Sequence, residues 1–311
     1  MKAGDLQNTR SDTTGHENTV GLETTWKPDP FPAPFKTSPR LPEAPMKCHW
    51  YSEFMLKRWR LPTGRIAYYD VDLQRIRQWK TGELFALEDL NSPEVEAALN
   101  VHESVVAPAL DGLTDGTIAE REAKLDEIAR PLTLLLLLQV HRTKEALTGV
   151  DNTIKLADTL AKGDAFLDGV VNAFHQQYRF GIVAIPSEYR LFVPDTGFFM
   201  FPIPHPSVAF TWGFAMPLTP TTMVSATPQG VDVDWPTIAK WVPSLSVGRS
   251  RNTKRIVVPP EYVEAMSAAE LAQDIAQRRD ATDKMFNDVT RARELAVEIH
   301  QKIGAPVPAV K

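Results

Sequence analysis

Four stretches hold the residues whose types and spacing could do chemistry. Lys47-Cys48-His49 sets a histidine beside the chain's single cysteine. Histidine titrates near neutral pH, so His49 could act as a general base or a metal ligand. A turn-capping His49 with a packed Cys48 is the structural alternative. After Ser92, Glu96 and Glu103 stand seven residues apart, two turns along one helix face, with His102 beside Glu103. Carboxylates so placed can hold a divalent ion or share a proton, or form a solvated acidic stripe. Val193-Pro-Asp195-Thr-Gly197 ends an apolar strand on a lone aspartate. That position suits a functional carboxylate and suits ordinary turn chemistry equally. Arg249-Ser-Arg-Asn-Thr-Lys-Arg255 carries four basic residues in seven and could hold phosphate. Lys57, Arg58 and Arg60 around Trp59 form a second basic–aromatic cluster, the type that stacks on single strands. Surface solubility and internal salt bridges are the alternative for both basic clusters.

The elements that position these residues follow from proline placement and periodicity. Of 25 prolines, seven lie between Pro28 and Pro45 and twelve between Pro186 and Pro260. Proline breaks helix interiors, so the map predicts an extended start, a helical middle, a block of strands and turns, and a helical end. Residues 1–46 are expected to be a disordered Pro-rich leader, or a strap laid down by Trp26, Phe31 and Phe35. His49 to Arg60 reads as a short helix or a turn into one, with strands at Arg65 to Asp72 and Arg75 to Trp79. Ser92-Pro-Glu94, Thr117-Ile-Ala-Glu120, Asp234-Trp-Pro and Ser267-Ala-Ala-Glu270 each open a helix. Pro131 is expected to break or kink the second of these. Ile154 to Tyr178 keeps helical spacing, weakened by Gly163 and Gly169. Short β-rich segments follow at Phe180–Ile185, Tyr189–Val193, Phe198–Ile203, Val208–Met216 and Thr222–Ala226, with a last strand at Arg255–Val258.

These elements make an α+β fold: a small antiparallel sheet of about five short strands with helices packed on one side, and a long C-terminal amphipathic helix. The expected divisions are the leader at 1–46, one domain at 47–260, and the helix with a short tail at 261–311. The apolar stripe of the last helix packs on its own domain or on a second copy as a homodimer.

Composition narrows the classes. The net charge of −5 argues against a wholly basic nucleic-acid binder, and one cysteine forms no intrachain disulfide. The longest apolar run, Leu132 to Val140, falls far short of a membrane helix, and no apolar stretch follows Lys2 and Arg10 to make a secretory signal. No membrane partner and a cytoplasmic location are therefore expected. P-loop, dinucleotide, zincin, paired CxxC and nucleophile-elbow motifs do not occur.

The order of the pieces is similar to the family catalogued as domain of unknown function 4238. Its opening box resembles His49-Trp-Tyr-Ser-Glu-Phe-Met-Leu-Lys-Arg-Trp59, with Ser52 and Glu53 where members usually have Pro-Gln. Its tyrosine–aspartate strand resembles Ile66 to Asp70, and its helix with two glutamates resembles Glu96 to Glu103. Later pieces resemble Phe192-Val-Pro-Asp195, Pro217-Leu-Thr-Pro220, and Asn252 ahead of Arg255-Ile-Val-Val. The resemblance spans residues 47–258 and implies a domain, not a reaction.

Two functional expectations result. One is a hydrolase-like pocket where His49, Glu96, Glu103, Asp195 and Asn252 converge. His49 acts as base, a divalent metal sits on Glu96, Glu103 and Asp195, and Arg251, Asn252 and Arg255 hold a phosphodiester or other phosphate. The other is a non-enzymatic binding or protein-interaction module, its polar residues a structural network and its last helix a partner interface.

Overall fold

The structure is a computed structural model that describes residues 47–49, 51–88, 92–142, 160–186, 188–205, 209–249 and 253–302. The leader with Trp26, Phe31 and Phe35, the early part of the helix expected from Ile154, and the positions Arg251 and Asn252 lie outside the described residues.

The α+β class read from the sequence holds. Strands β1 (Lys47–His49) and β4 (Ala86–Glu88) form a two-stranded antiparallel pair. A four-stranded sheet has the order β3-β2-β10-β6, from β2 (Arg65–Asp70), β3 (Arg75–Lys80), β6 (Val193–Pro194) and β10 (Arg255–Val257). A second has the order β5-β9-β8-β7, from β5 (Tyr178–Ala184), β7 (Phe199–His205), β8 (Ala209–Thr219) and β9 (Thr222–Pro228). Every pairing is antiparallel.

Helices cover both faces of each sheet, not one. The reason lies in β2 and β9, where consecutive residues on opposite faces are buried. In β2, Ile66 and Tyr68 face a core with Trp59, Leu125 and Leu132, while Ala67 and Tyr69 face a separate core with Leu271 and Ile275. The first core belongs to α3 (Ile118–Arg142) and the 3-10 turn Glu53–Trp59, the second to α7 (Ala268–Lys302). In β9, Val224 joins the α3 side, and Met223 joins α5 (Trp235–Leu245) and Phe286 of α7. Helices α2 (Pro93–Ala109), α3 and α4 (Asp164–Gln177) share an outlying core through Leu99, Leu138 and Val171. Short helices α1 (Thr81–Leu84) and α6 (Pro260–Ala265) complete the chain.

The helix starts follow side-chain capping. Ser92 accepts from the amide of Val95, and Asp234 from that of Thr237. Thr117 with Glu120, and Ser267 with Glu270, close reciprocal capping boxes. α3 continues through Pro131, so the proline does not break it. Buried leucines follow at 132, 134, 135, 136 and 138, so tertiary packing outweighs the one lost backbone bond. The tail helix packs on its own chain from Leu271 to Phe286. Among the described residues no helix is long and apolar enough to cross a membrane.

Candidate functional site

Asp195 is 4% exposed and directly follows β6. Its backbone amide donates to the carbonyl of Arg255 at 2.9 Å, which extends the β6–β10 ladder by one step. Its Oδ2 accepts from the amides of Lys254 at 3.0 Å and Arg255 at 3.1 Å. The carboxylate thus holds the chain entering β10, about 60 residues away in sequence. Behind it, Arg279 of α7 donates from Nη2 to the carbonyl of Thr253 at 3.4 Å. Burial lowers the Arg279 pKa from its ordinary value, against the opposing pull of Tyr69, Asp283, Asp195 and Asp280. One node therefore ties β6, the approach to β10, and α7 together.

The turn after Asp195 rests on the opening aromatic box. Gly197 has φ of +78° and donates its amide to Pro194 at 2.8 Å. A Cβ there would lie 2.3 Å from Cε2 of Tyr51, so glycine permits both the left-handed backbone and the close approach of the ring. Tyr51 is buried edge-on against Phe85, with ring centroids 5.8 Å apart, and burial pushes its hydroxyl pKa up. Next to it, Ser52 Oγ donates to Glu103 Oε1 at 2.7 Å across 51 residues. The opening box is thereby seated on both the Asp195 turn and α2.

The expected site residues divide as follows. Glu96 and Glu103 lie on α2, both half-buried, and Glu103 serves Ser52. His102 beside them has its pKa lowered by burial, against the pull of Asp164 and Glu103. His49 lies in β1 opposite Ala86, and its side chain is outside the description. Arg255 donates to the carbonyl of Leu84 and stands 5.9 Å from the Tyr68 ring, as an internal strut. Among the described residues, no group of three His, Cys, Asp and Glu comes together that could hold a metal ion. The basic–aromatic cluster also resolves differently from expectation. Trp59 is fully buried and offers no face to a base, because the three-residue period of its 3-10 turn turns Leu56 and Trp59 inward together. Arg60 is taken up by Thr81 and Glu53 at 3.0 and 3.1 Å.

Two openings lie along β7. A cleft of about 150 Å³ touches Thr196, Phe199 and Thr253, and there Arg249 stacks over Phe286 at 4.7 Å. A groove of about 360 Å³ runs between β7 and α5, lined by Phe201, Ile203, Asp232, Asp234, Ile238, Trp241 and Leu245 among others. Sequence reasoning had singled out none of the groove residues for function; Asp234 entered only as a helix start. The available signal was the run Asp234, Thr237, Ile238, Trp241 and Leu245, which is one helix face bearing a large indole.

No protein-family model, curated protein or solved structure matches the chain.

Proposed function

We propose that the chain is a non-enzymatic binding module in which Asp195 and Glu103 are structural tethers. The supporting observation is that Asp195 Oδ2 accepts from the amides of Lys254 and Arg255. Hydrogen bonds to a charged group contribute about 1.5–3 kcal/mol each, so this side of the carboxylate has a structural role. Glu103 and Arg255 are likewise engaged within the chain. The groove along β7 is the larger of the two openings described and the one with room for a small ligand. The resemblance to the domain of unknown function 4238 family is compatible with this reading, since it implies a domain without a reaction.

The hydrolytic alternative places a divalent ion on Glu96, Glu103 and Asp195. A thermal-shift titration with Mg²⁺, Mn²⁺ and Zn²⁺ on the wild type and Asp195→Asn separates the two. The binding-module reading expects Asp195→Asn to lower Tm equally with and without metal. It also expects no ion to raise the wild-type Tm selectively. A dose-dependent stabilisation of the wild type that the variant lacks overturns the proposal.

A further inference from the structure

Strand β7 is an edge of its sheet, and Pro202 and Pro204 pair with Trp212 and Phe210 of β8 in a register unbroken over seven residues. Such a ladder survives prolines only where their missing amides face away from the partner strand. At those positions the free edge therefore offers carbonyls without donors, which disfavours addition of a peptide strand. The groove beside this edge has a different character. Phe201, Ile203, Ile238 and Leu245 back it and are themselves buried. Trp241, also in the lining, is 59% exposed, the most exposed tryptophan among the described residues. Asp232 and Asp234 belong to the same lining, which contains no lysine or arginine among the described residues. Arg179 approaches Asp232 only to 3.9 Å, with both side chains exposed, so it competes weakly for that carboxylate. Lys240 acts on Asp234 from within α5. The volume of about 360 Å³ falls in the range of small-ligand sites.

We propose that this groove binds a small organic cation: an aromatic or branched apolar body packed against the exposed Trp241 ring, with its ammonium group toward Asp232 and Asp234. The proposal rests on the binding-module reading and names its ligand class. The exposed indole supplies an accessible aromatic face, two carboxylates fix the sign of charge, and the apolar lining contributes by area.

The test uses 4-phenylbutylamine and 4-phenylbutyrate, which share one carbon body and carry opposite charges. Both are titrated by calorimetry and ligand-detected NMR into the full chain. The amine is expected to bind roughly tenfold tighter than the acid, the ratio that two partly screened carboxylates can produce. That ratio should collapse in Asp232→Asn/Asp234→Asn, because asparagine keeps the helix cap while removing charge. Trp241→Ala, at an exposed position, should weaken the amine with little effect on Tm. Equal affinity of the two compounds, failure of the amine to bind, or amine binding indifferent to Trp241→Ala overturns the proposal. Binding of a lysine-containing apolar peptide where the amine fails overturns it in favour of a peptide ligand. A metal-specific stabilisation in the earlier titration defeats the binding-module reading by a separate route, without altering the amine-to-acid ratio.

Discussion

Replacing Gly197 by alanine should unfold the protein far more readily than the same change at Gly64. The two glycines have nearly the same backbone, with φ of +78° and +74°. An L-residue held in that region costs about 1–2 kcal/mol at either place. Their surroundings differ. A Cβ on Gly64 meets nothing within 4 Å, whereas one on Gly197 would stand 2.3 Å from Cε2 and 2.6 Å from Cδ2 of Tyr51. That ring is buried against Phe85 and has little room to retreat. Overpacking of this kind costs about 1–3 kcal/mol more. Gly64→Ala is therefore expected to lose about 1–2 kcal/mol, and Gly197→Ala about 2–5 kcal/mol. Urea unfolding followed by far-ultraviolet circular dichroism gives both values, read from midpoints at unchanged m. The double variant Gly197→Ala/Tyr51→Ala should cost less than the sum of its parts, because the second change removes the clash made by the first. Equal losses at Gly64 and Gly197, or strict additivity of the double variant, would refute the seating of the Asp195 turn on the opening box.

Three further outcomes are expected. Asp195→Ala removes the acceptor of the Lys254 and Arg255 amides and should cost about 2–5 kcal/mol, with Asp195→Asn losing roughly half as much since its carbonyl still accepts; equilibrium denaturation checks the ratio. His175 donates from Nε2 to Thr133 Oγ1 at 2.8 Å, because that hydroxyl itself donates to Ala129. Burial lowers its pKa, with the Ala129 bond opposing and Arg130 assisting, and burial lowers that of His102 too. The unfolded chain thus takes up these protons first. Stability is complete above about pH 6.5 and falls as pH drops through the folded values, a slope that His102→Gln/His175→Gln should flatten in Tm measured against pH. Pro131→Ala restores an amide donor within α3 and should raise stability by about 1–3 kcal/mol; an unchanged or lower urea midpoint contradicts this.

Local chemistry was legible and distant pairing was not. The caps at Ser92, Thr117, Asp234 and Ser267 could be read because an N-cap and its partner amide lie within three residues. The hairpin of β2 and β3 was readable for the same reason. The division of strands between two sheets was not, since β10 finds β2 on one side and β6 on the other across long stretches of chain. At Asp195 the two readings of the sequence were a functional carboxylate and a turn residue. Its partners, the amides of Lys254 and Arg255 about 60 positions away, belong to neither reading and have no local trace. Trp59 looked available because three cations surround it in sequence, yet the 3-10 turn sends it inward while Arg58 and Arg60 remain half-exposed or exposed. Ser52 meeting Glu103 has no local trace at all.

The order of strands in the β3-β2-β10-β6 sheet has a consequence for the chain during its own synthesis. Tyr68 to Asp70 of β2 have Arg255 to Val257 as their inner neighbours, roughly 185 residues further on. At about 5–20 residues per second, a ribosome delivers that strand some 10–40 s after β2 has emerged. For that interval the β2–β3 hairpin presents an open row of donors and acceptors, flanked by Ile66 and Tyr69, to whatever else is nearby. Capture by a chaperone, or by the same segment of a neighbouring nascent chain, competes with the native partner throughout it. Ribosome stalling between residues 80 and 255 is the condition under which this sheet is most exposed to mispairing.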